Sequence, residues 1–427
     1  MIKRALLVLL VAGFAFAVVL AVALAPGAVI RHRPPERPIV LPGTSVVAAS
    51  LVRVSKGAQA TAANPKQGQV TVPFSVASED GSIKINGQPF FPIITWAQSA
   101  AEVQNNVDIG INVFMGVDGN AQELSNAITG RAYEVPGYGV SEPSGPQPEG
   151  TIGYHLPDEA DGYGILPYEL PITRRVEQTG RLIFQTLTVH YSPQQSKLEV
   201  LQRDGTMTVI DDAVYREYMN NADVLLTAVY PRAHTCNAPG LKDVSSIYYY
   251  QRELQKQAGT RPTGQWLEVN QIEGRCGSDP ISSAQTRQEA FLAIAGRADA
   301  LGYFTYGWPG GVVQHFDVRP EVAEGLANLS REIQELAPVL LSRDLPFVSG
   351  PNDPIKIGGR RYKGNDYLIA VNSTDHPVTW RRKLTAINLG NQTLSEYWTN
   401  QRIQVRNGVI AAKFASEEVR LFRWRTL

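Results

Sequence analysis

The chain has 427 residues, 43% of them hydrophobic, and its 40 Lys and Arg balance 40 Asp and Glu. That length suits one large domain with a smaller one beside it. The neutral balance leaves no basic footprint for a nucleic-acid partner, and neutral substrates such as most sugars suit it.

Met1-Ile2-Lys3-Arg4 leads into an uncharged run, Ala5 to Ala25, long enough to cross a bilayer as a helix. Lys3 and Arg4 keep its start on the cytoplasmic side, so the rest of the chain is expected outside the membrane. The run reads either as a signal peptide cut after Ala21-Val22-Ala23 or as an uncleaved anchor, and its length favours the anchor. Residues 26–75, rich in Pro, Ala and Gly and without a sustained period, read as a stalk.

A hairpin is predicted at Ile83 to Pro92, turning at Asn86-Gly87. A rhythm of strand and helix follows. Strands are expected at Phe91–Thr95, Asn112–Met115, Arg131–Val135, Thr151–His155, Leu182–Val189, Val224–Val229, Gln265–Asn270 and Tyr303–Gly307. Helices are expected near Ser99–Val107, Ala121–Ile128, Leu170–Gln178, Asp212–Asn220, Val244–Gln257, Ala284–Ala300 and Val322–Leu341. These units over 76–344 predict an α/β fold, a closed (β/α)8 or TIM barrel. A doubly wound open sheet is the alternative, and no Gly-rich phosphate loop follows the first strand to support it. Over 345–427 the pattern changes to short strands such as Tyr367–Asn372, Val378–Trp380 and Glu418–Arg423, with Asn407-Gly408 turning between Ile403–Val405 and Val409–Ile410. They predict a small all-β sandwich.

The chemistry is expected where strands end. Strand four runs into Asp158, Glu159 and Asp161, and strand seven carries Glu268. Alternation puts Trp266, Glu268 and Asn270 on one face of that strand and Leu267 and Val269 on the other, which aims Glu268 into the barrel. A buried charge there is costly unless it is used or paired. Two carboxylates at one barrel mouth are the equipment for cleaving a glycosidic bond: Glu159 as general acid/base and Glu268 as nucleophile, with Glu273 as the alternative nucleophile. Asp158 or Asp161 is the alternative acid. The bland readings are helix N-caps for Asp158 and Asp161 and a salt bridge for Glu268. Aromatic residues recur at strand ends: Trp96, Tyr154, Tyr191, Tyr230 and Trp308. Each alone is more often packing than function.

These residues resemble the clan A glycoside hydrolases, the retaining group built on this barrel. The resemblance rests on Ile85-Asn86-Gly87-Gln88-Pro89-Phe90-Phe91-Pro92 as the opening hairpin and on Gly110-Ile111-Asn112-Val113 as the second strand. It rests also on Asp158-Glu159 ending the fourth strand and on Ala370-Val371-Asn372-Ser373 in a terminal sandwich. It implies a carbohydrate substrate, Trp308 as a sugar platform, and Tyr230 as a hydrogen-bond donor to the nucleophile. Trp96, Asp158 and His190 complete the expected sugar contacts. Asp158 stands where the group has the Asn that binds the sugar 2-hydroxyl.

His155, His190 and His234 end consecutive strands, but no metal-binding spacing joins them, and hydrogen bonding to substrate or carboxylates is the expected role. Cys236 and Cys276 follow strands six and seven, and neighbouring rim loops outside the cytoplasm favour a disulfide between them. No metal or cofactor site is expected. Two rival readings remain: a non-catalytic barrel that binds glycans or envelope polysaccharide, and a metal-dependent barrel hydrolase built on the histidines.

Overall fold

The computed structural model describes residues 74–79, 81–137, 150–170, 180–202, 205–232, 241, 243–270, 281–307, 312–385, 387 and 389–426. The apolar run 5–25 and the stalk before 74 lie outside the described residues, as do His234, Cys236, Glu273, Cys276 and Trp308. Among the described residues no helix is long and apolar enough to cross a membrane.

Eight strands form one parallel sheet: β1 (Ile93–Trp96), β2 (Val113–Met115), β3 (Tyr133–Val135), β4 (Gly153–His155), β5 (Leu182–Leu187), β6 (Val224–Ala228), β7 (Thr263–Glu268) and β8 (Ala300–Phe304). Their spatial order is β3-β2-β1-β8-β7-β6-β5-β4. Parallel bridges Glu134 to Thr151 and Gly137 to His155 join β3 to β4 and close the ring. The predicted barrel is therefore present.

Among the described residues six helices accompany the strands: α1 (Val103–Asp108), α2 (Ala121–Ile128), α3 (Asp212–Asn220), α4 (Ser246–Ala258), α5 (Ser283–Ala295) and α6 (Pro320–Leu340). Side-chain caps fix several starts: the Asn120 carboxamide accepts from the Gln122 and Glu123 amides, and Asp211 accepts from those of Ala213 and Val214. The helix expected near Leu170–Gln178 lies mostly outside the described residues.

The barrel floor is closed by the hairpin Ser82–Ile85 and Gln88–Phe90. Asn86 and Gly87 both take positive φ, 51° and 74°, as the tight hairpin turn requires. Ile83 and Ile85 join Ile94, Val113, Phe184 and Trp266 in the interior cluster. Large rings fill this interior because glycine lies opposite them. A Cβ on Gly302 of β8 would come within 2.1 Å of the Trp266 ring, and one on Gly153 of β4 within 2.5 Å of the Phe184 ring.

Three expectations are corrected. The helix expected at Ala284–Ala300 ends at Ala295, and the eighth strand runs Ala300–Phe304 rather than Tyr303–Gly307. The cause is a tight turn: the Ala298 amide donates to Ala293 and the Asp299 amide to Thr263, which starts β8 early. Between β5 and α3 stands an antiparallel hairpin, Leu198–Leu201 with Met207–Ile210, that the strand-helix rhythm did not foresee. The Asn407-Gly408 turn forms, but its flanking segments part company. Arg402–Gln404 pairs with Thr393–Glu396, while Val409–Phe414 pairs with Val378–Lys383.

The terminal domain is the expected all-β unit, a six-stranded antiparallel sheet and a two-stranded one sharing a core that includes Trp380, Phe414, Leu368 and Phe422. Its strand Ile355–Tyr362 docks on the barrel through Arg360, whose side chain is buried. Arg360 donates to the Ile294 carbonyl at the end of α5 (2.9 Å), the Leu340 carbonyl at the end of α6 (2.8 Å) and the Asp344 carboxylate (2.7 Å). One guanidinium thus caps two helix C-termini, where carbonyls lack intrahelical donors and the dipole favours a cation.

Candidate active site

The mouth of the barrel is set by β4 and the turn that follows it. His155 is the last residue of β4, and alternation turns it inward while Tyr154 faces out, into the cluster holding Leu156, Ile183 and Tyr215. Tyr154 is therefore packing rather than rim. Tyr191 is packing too: it is buried, and its hydroxyl donates to the Tyr250 carbonyl at 2.9 Å.

Beyond β4 the chain turns tightly. Glu159 takes φ +43°, a left-handed conformation that is strained for a side chain of its kind. The turn is pinned from both sides. Ala160 is fully buried, and a Cβ on Gly162 would meet the Thr188 methyl at 2.9 Å. Asp161 is neither a helix cap nor at the surface. It is buried, and its carboxylate accepts from the Thr188 amide (3.1 Å), the Thr188 hydroxyl and the Tyr215 hydroxyl (2.8 Å). This anchor ties the turn to the end of β5 and to α3.

The turn presents Asp158 and Glu159 side by side. Burial, then Asp158, then Asp161 hold the Glu159 carboxyl well above the ordinary carboxylate range. Burial raises Asp158 to about 7, opposed by a hydrogen bond from Thr186 and helped by Asp161. The Asp158 side chain is 42% exposed, so water moderates that rise. The two are a coupled pair at a barrel mouth, one of which carries a proton near neutrality.

Thr186, the next-to-last residue of β5, is the hub beneath them. The Trp266 indole N–H donates to its hydroxyl at 3.3 Å, and His155 Nε2 meets the same oxygen at 3.3 Å. The one hydroxyl proton goes to Asp158, which leaves His155 to donate through Nε2. Burial lowers His155 to about 3, so it stays neutral at physiological pH. The Trp96 ring stands edge-on to His155, centroids 4.7 Å apart, and edge-on to Trp266 at 6.1 Å.

Glu268 is the last residue of β7, so it stands at the strand end rather than inside it. It is 2% exposed, and its Oε1 accepts from the Arg232 backbone N–H at 2.7 Å. Leu267 and Val269 face the helices as alternation predicts. Tyr230, after β6, joins the two halves. Burial raises its hydroxyl, and so do Glu159, Asp158, Glu268 and Glu289 in that order. It therefore remains a protonated donor within electrostatic reach of both Glu159 and Glu268, and its ring lies 5.9 Å from Phe304.

Other expected residues fall elsewhere. His190 sits in a short turn, Val189–Tyr191, and its Nδ1 is bonded to the Ser196 carbonyl at 2.7 Å. Among the described residues no group of three or more His, Cys, Asp or Glu is placed to hold a metal ion. Residues the sequence did not flag also belong to the site. Tyr163 is 49% exposed in the turn after Glu159 and feels both Asp158 and Glu159. Thr186, Arg232 and Glu289 support the carboxylates.

No family model matches the sequence, and neither does any curated protein. Among solved structures, a family 5 glycoside hydrolase from Bacteroides vulgatus is 12% identical, over 83% of this chain and 93% of its own, with a TM-score of 0.50. A GH27 β-L-arabinopyranosidase from Geobacillus stearothermophilus is 11% identical over 79% and 97%, with a TM-score of 0.48. A GH30 endoxylanase from Clostridium papyrosolvens is 13% identical over 83% and 99%, with a TM-score of 0.40. At such identities the likeness is one of fold, and it rests on the family 5 protein. The resemblance drawn from the sequence holds at that level.

Proposed function

We propose that this protein is a retaining glycoside hydrolase that acts on carbohydrate outside the membrane. The observation that carries the reading is the Asp158–Glu159 pair at the end of β4, with Glu159 held well above the ordinary carboxylate range and with Tyr230 raised by both Glu159 and Glu268, the last residue of β7. Glu159 is the acid. It protonates the leaving oxygen as a Glu268 oxygen bonds to the anomeric carbon and the glycosidic C–O bond breaks. Glu159, now ionised, takes a proton from water, whose oxygen displaces Glu268. Tyr230 donates a hydrogen bond to Glu268. Trp96, Trp308 and Tyr163 offer ring faces to the sugar, and Asp158 a polar contact. Glu273 is the alternative nucleophile. The left-handed φ of Glu159 supports a functional assignment, because strain of this kind persists where the surroundings enforce it and clusters at working sites.

The run 5–25 serves as anchor or signal segment, and Cys236 and Cys276 form a disulfide between rim loops. No cofactor takes part.

A second reading, a non-catalytic barrel that binds glycans, draws on the near-complete burial of Glu268 and its bond from Arg232. Mechanism-based covalent glycosidase probes decide between them. A stoichiometric adduct on Glu268 or Glu273, formed slowly or not at all in Glu159→Gln when the probe's leaving group needs protonation, supports the hydrolase. A folded protein that no probe in a broad panel labels supports the binding barrel.

A further inference from the structure

Four charged side chains meet where β7, the loop after β6, α5 and the terminal domain come together. Glu268 ends β7. Glu289 lies on α5 and is fully buried. Arg232 follows β6, and Glu417 comes from the turn before the last strand of the terminal domain. Arg232 touches all three acids. Its backbone N–H donates to Glu268 at 2.7 Å, its Nε to Glu289 Oε1 at 3.1 Å, and its Nη2 to Glu417 Oε1 at 3.3 Å.

Among the described residues one guanidinium faces three carboxylates, too little charge for such a place. Glu289 lies within hydrogen-bonding reach of Glu268. The second Glu289 oxygen is buried and meets no N–H or O–H donor among the described residues. Two ionised carboxylates offer only acceptors to each other, so such a contact holds when one of them carries a proton. The other described neighbours do not remove this need. Gln288 and Gln285 are neutral, the Tyr230 hydroxyl stays protonated, and Asp375, exposed, adds another negative charge near Arg232.

We propose that Glu289 is a positioning residue for Glu268: the two carboxyls hold one proton between them, and Arg232, tied to Glu417 of the terminal domain, fixes the pair. The catalytic consequence rests on the reading of Glu268 as nucleophile; the shared proton does not. Burial and Glu268 drive Glu289 well above the ordinary carboxylate range against the pull of Arg232, in keeping with a proton on Glu289 and the charge on Glu268. The arrangement leaves Glu268 ionised, as attack requires, and holds its side chain in one orientation. It also makes the terminal domain part of the site, since Glu417 orients the arginine that orients the pair.

The test is the melting temperature of the full chain between pH 5 and pH 8, for wild type, Glu289→Gln and Glu289→Leu. A carboxyl protonated in the folded protein and ionised in the unfolded chain stabilises at low pH, and that stability is lost as pH rises. Gln cannot titrate, and its amide N–H replaces the carboxyl O–H toward Glu268. The Tm of Glu289→Gln minus that of wild type should therefore climb with pH, by on the order of 2 °C per unit. A difference that stays flat or falls with pH would mean an ionised Glu289 in an ordinary salt bridge with Arg232, and would overturn the shared proton. Covalent labelling tests the positioning role: Glu289→Gln should label Glu268 at least tenfold faster than Glu289→Leu. Equal rates in the two variants would overturn it. If wild type itself takes no label, the nucleophile reading fails, while the melting series still decides the shared proton.

Discussion

Asp161→Asn separates the anchor of the catalytic turn from its chemistry. In the native protein three donors converge on the Asp161 carboxylate: the Thr188 amide, the Thr188 hydroxyl and the Tyr215 hydroxyl. Asparagine offers one oxygen with two lone pairs and brings an NH2 group to a place already crowded with donors. At least one buried donor loses its partner, and the remaining bonds lose their charge assistance. A stranded donor costs about 1 to 3 kcal/mol, and the whole change about 2 to 4 kcal/mol. For a chain of this size that lowers Tm by about 4 to 8 °C, measurable by calorimetry. The second effect concerns pH. Asp161 is one of the charges that raise Glu159, so its removal lowers the Glu159 pKa. Glu159 must be protonated to act as acid, and the basic limb of kcat/KM, measured on a substrate of the sugar class that the probes identify, should move to lower pH. A basic limb that does not move in a folded variant would remove either Glu159 as the acid or Asp161 as a source of its shift. An unchanged Tm would refute the hydrogen-bond count.

Three further outcomes follow from other parts of the molecule. Arg360→Leu should cost about 1 to 3 kcal/mol, because it takes the donor from the Leu340 carbonyl that ends α6, while the Ile294 carbonyl keeps the Arg297 amide and Asp344 keeps the Arg297 guanidinium; a loss below about 0.5 kcal/mol in calorimetry would show that water replaces the guanidinium. His155 is neutral when folded, near 3 against about 6.5 unfolded, so its contribution is whole above pH 6.5 and lost as pH falls toward 3. His155→Gln should flatten the acid side of a stability-pH curve in that window, by about 1.4 kcal/mol per unit, and a curve of unchanged slope would count against a buried neutral imidazole. Tyr163→Ala should leave Tm within about 1 °C, since the ring is half exposed, while raising KM about 3- to 10-fold. An unchanged KM would remove Tyr163 from the sugar contacts.

The barrel was legible because each strand is a short apolar run set off from a helix by its own turn, and parallel order follows from that alternation. The outward face of β7 was legible too, since Leu267 and Val269 can only suit the helical layer. What failed did so for identifiable reasons. Tyr154 and Tyr191 sit at strand ends, yet one residue of phase decides pocket or packing, and the neighbouring His155 holds the inward position. The hairpin after β5 had its signal, two alternating segments about Asp204-Gly205, but the expectation that this strand leads straight to the helix at Asp212–Asn220 hid it. Glu289 was illegible on different grounds. In α5 nearly every residue from Thr286 to Ala295 is buried, since the barrel covers one side and the terminal sheet the other. A helix covered all round has no amphipathic phase to show which residues face a strand end. What such a helix does show is cost. Glu289 is an acid in the run Gln288 to Ala295, among Phe291, Leu292 and Ile294, and a charge there is expensive without a partner. The second reading of Glu268, as one member of a salt bridge, pointed to the same place from the other end. Arg232 and a shared proton are what let the two acids be buried together, which is why Glu289 could not be assigned from its own segment alone.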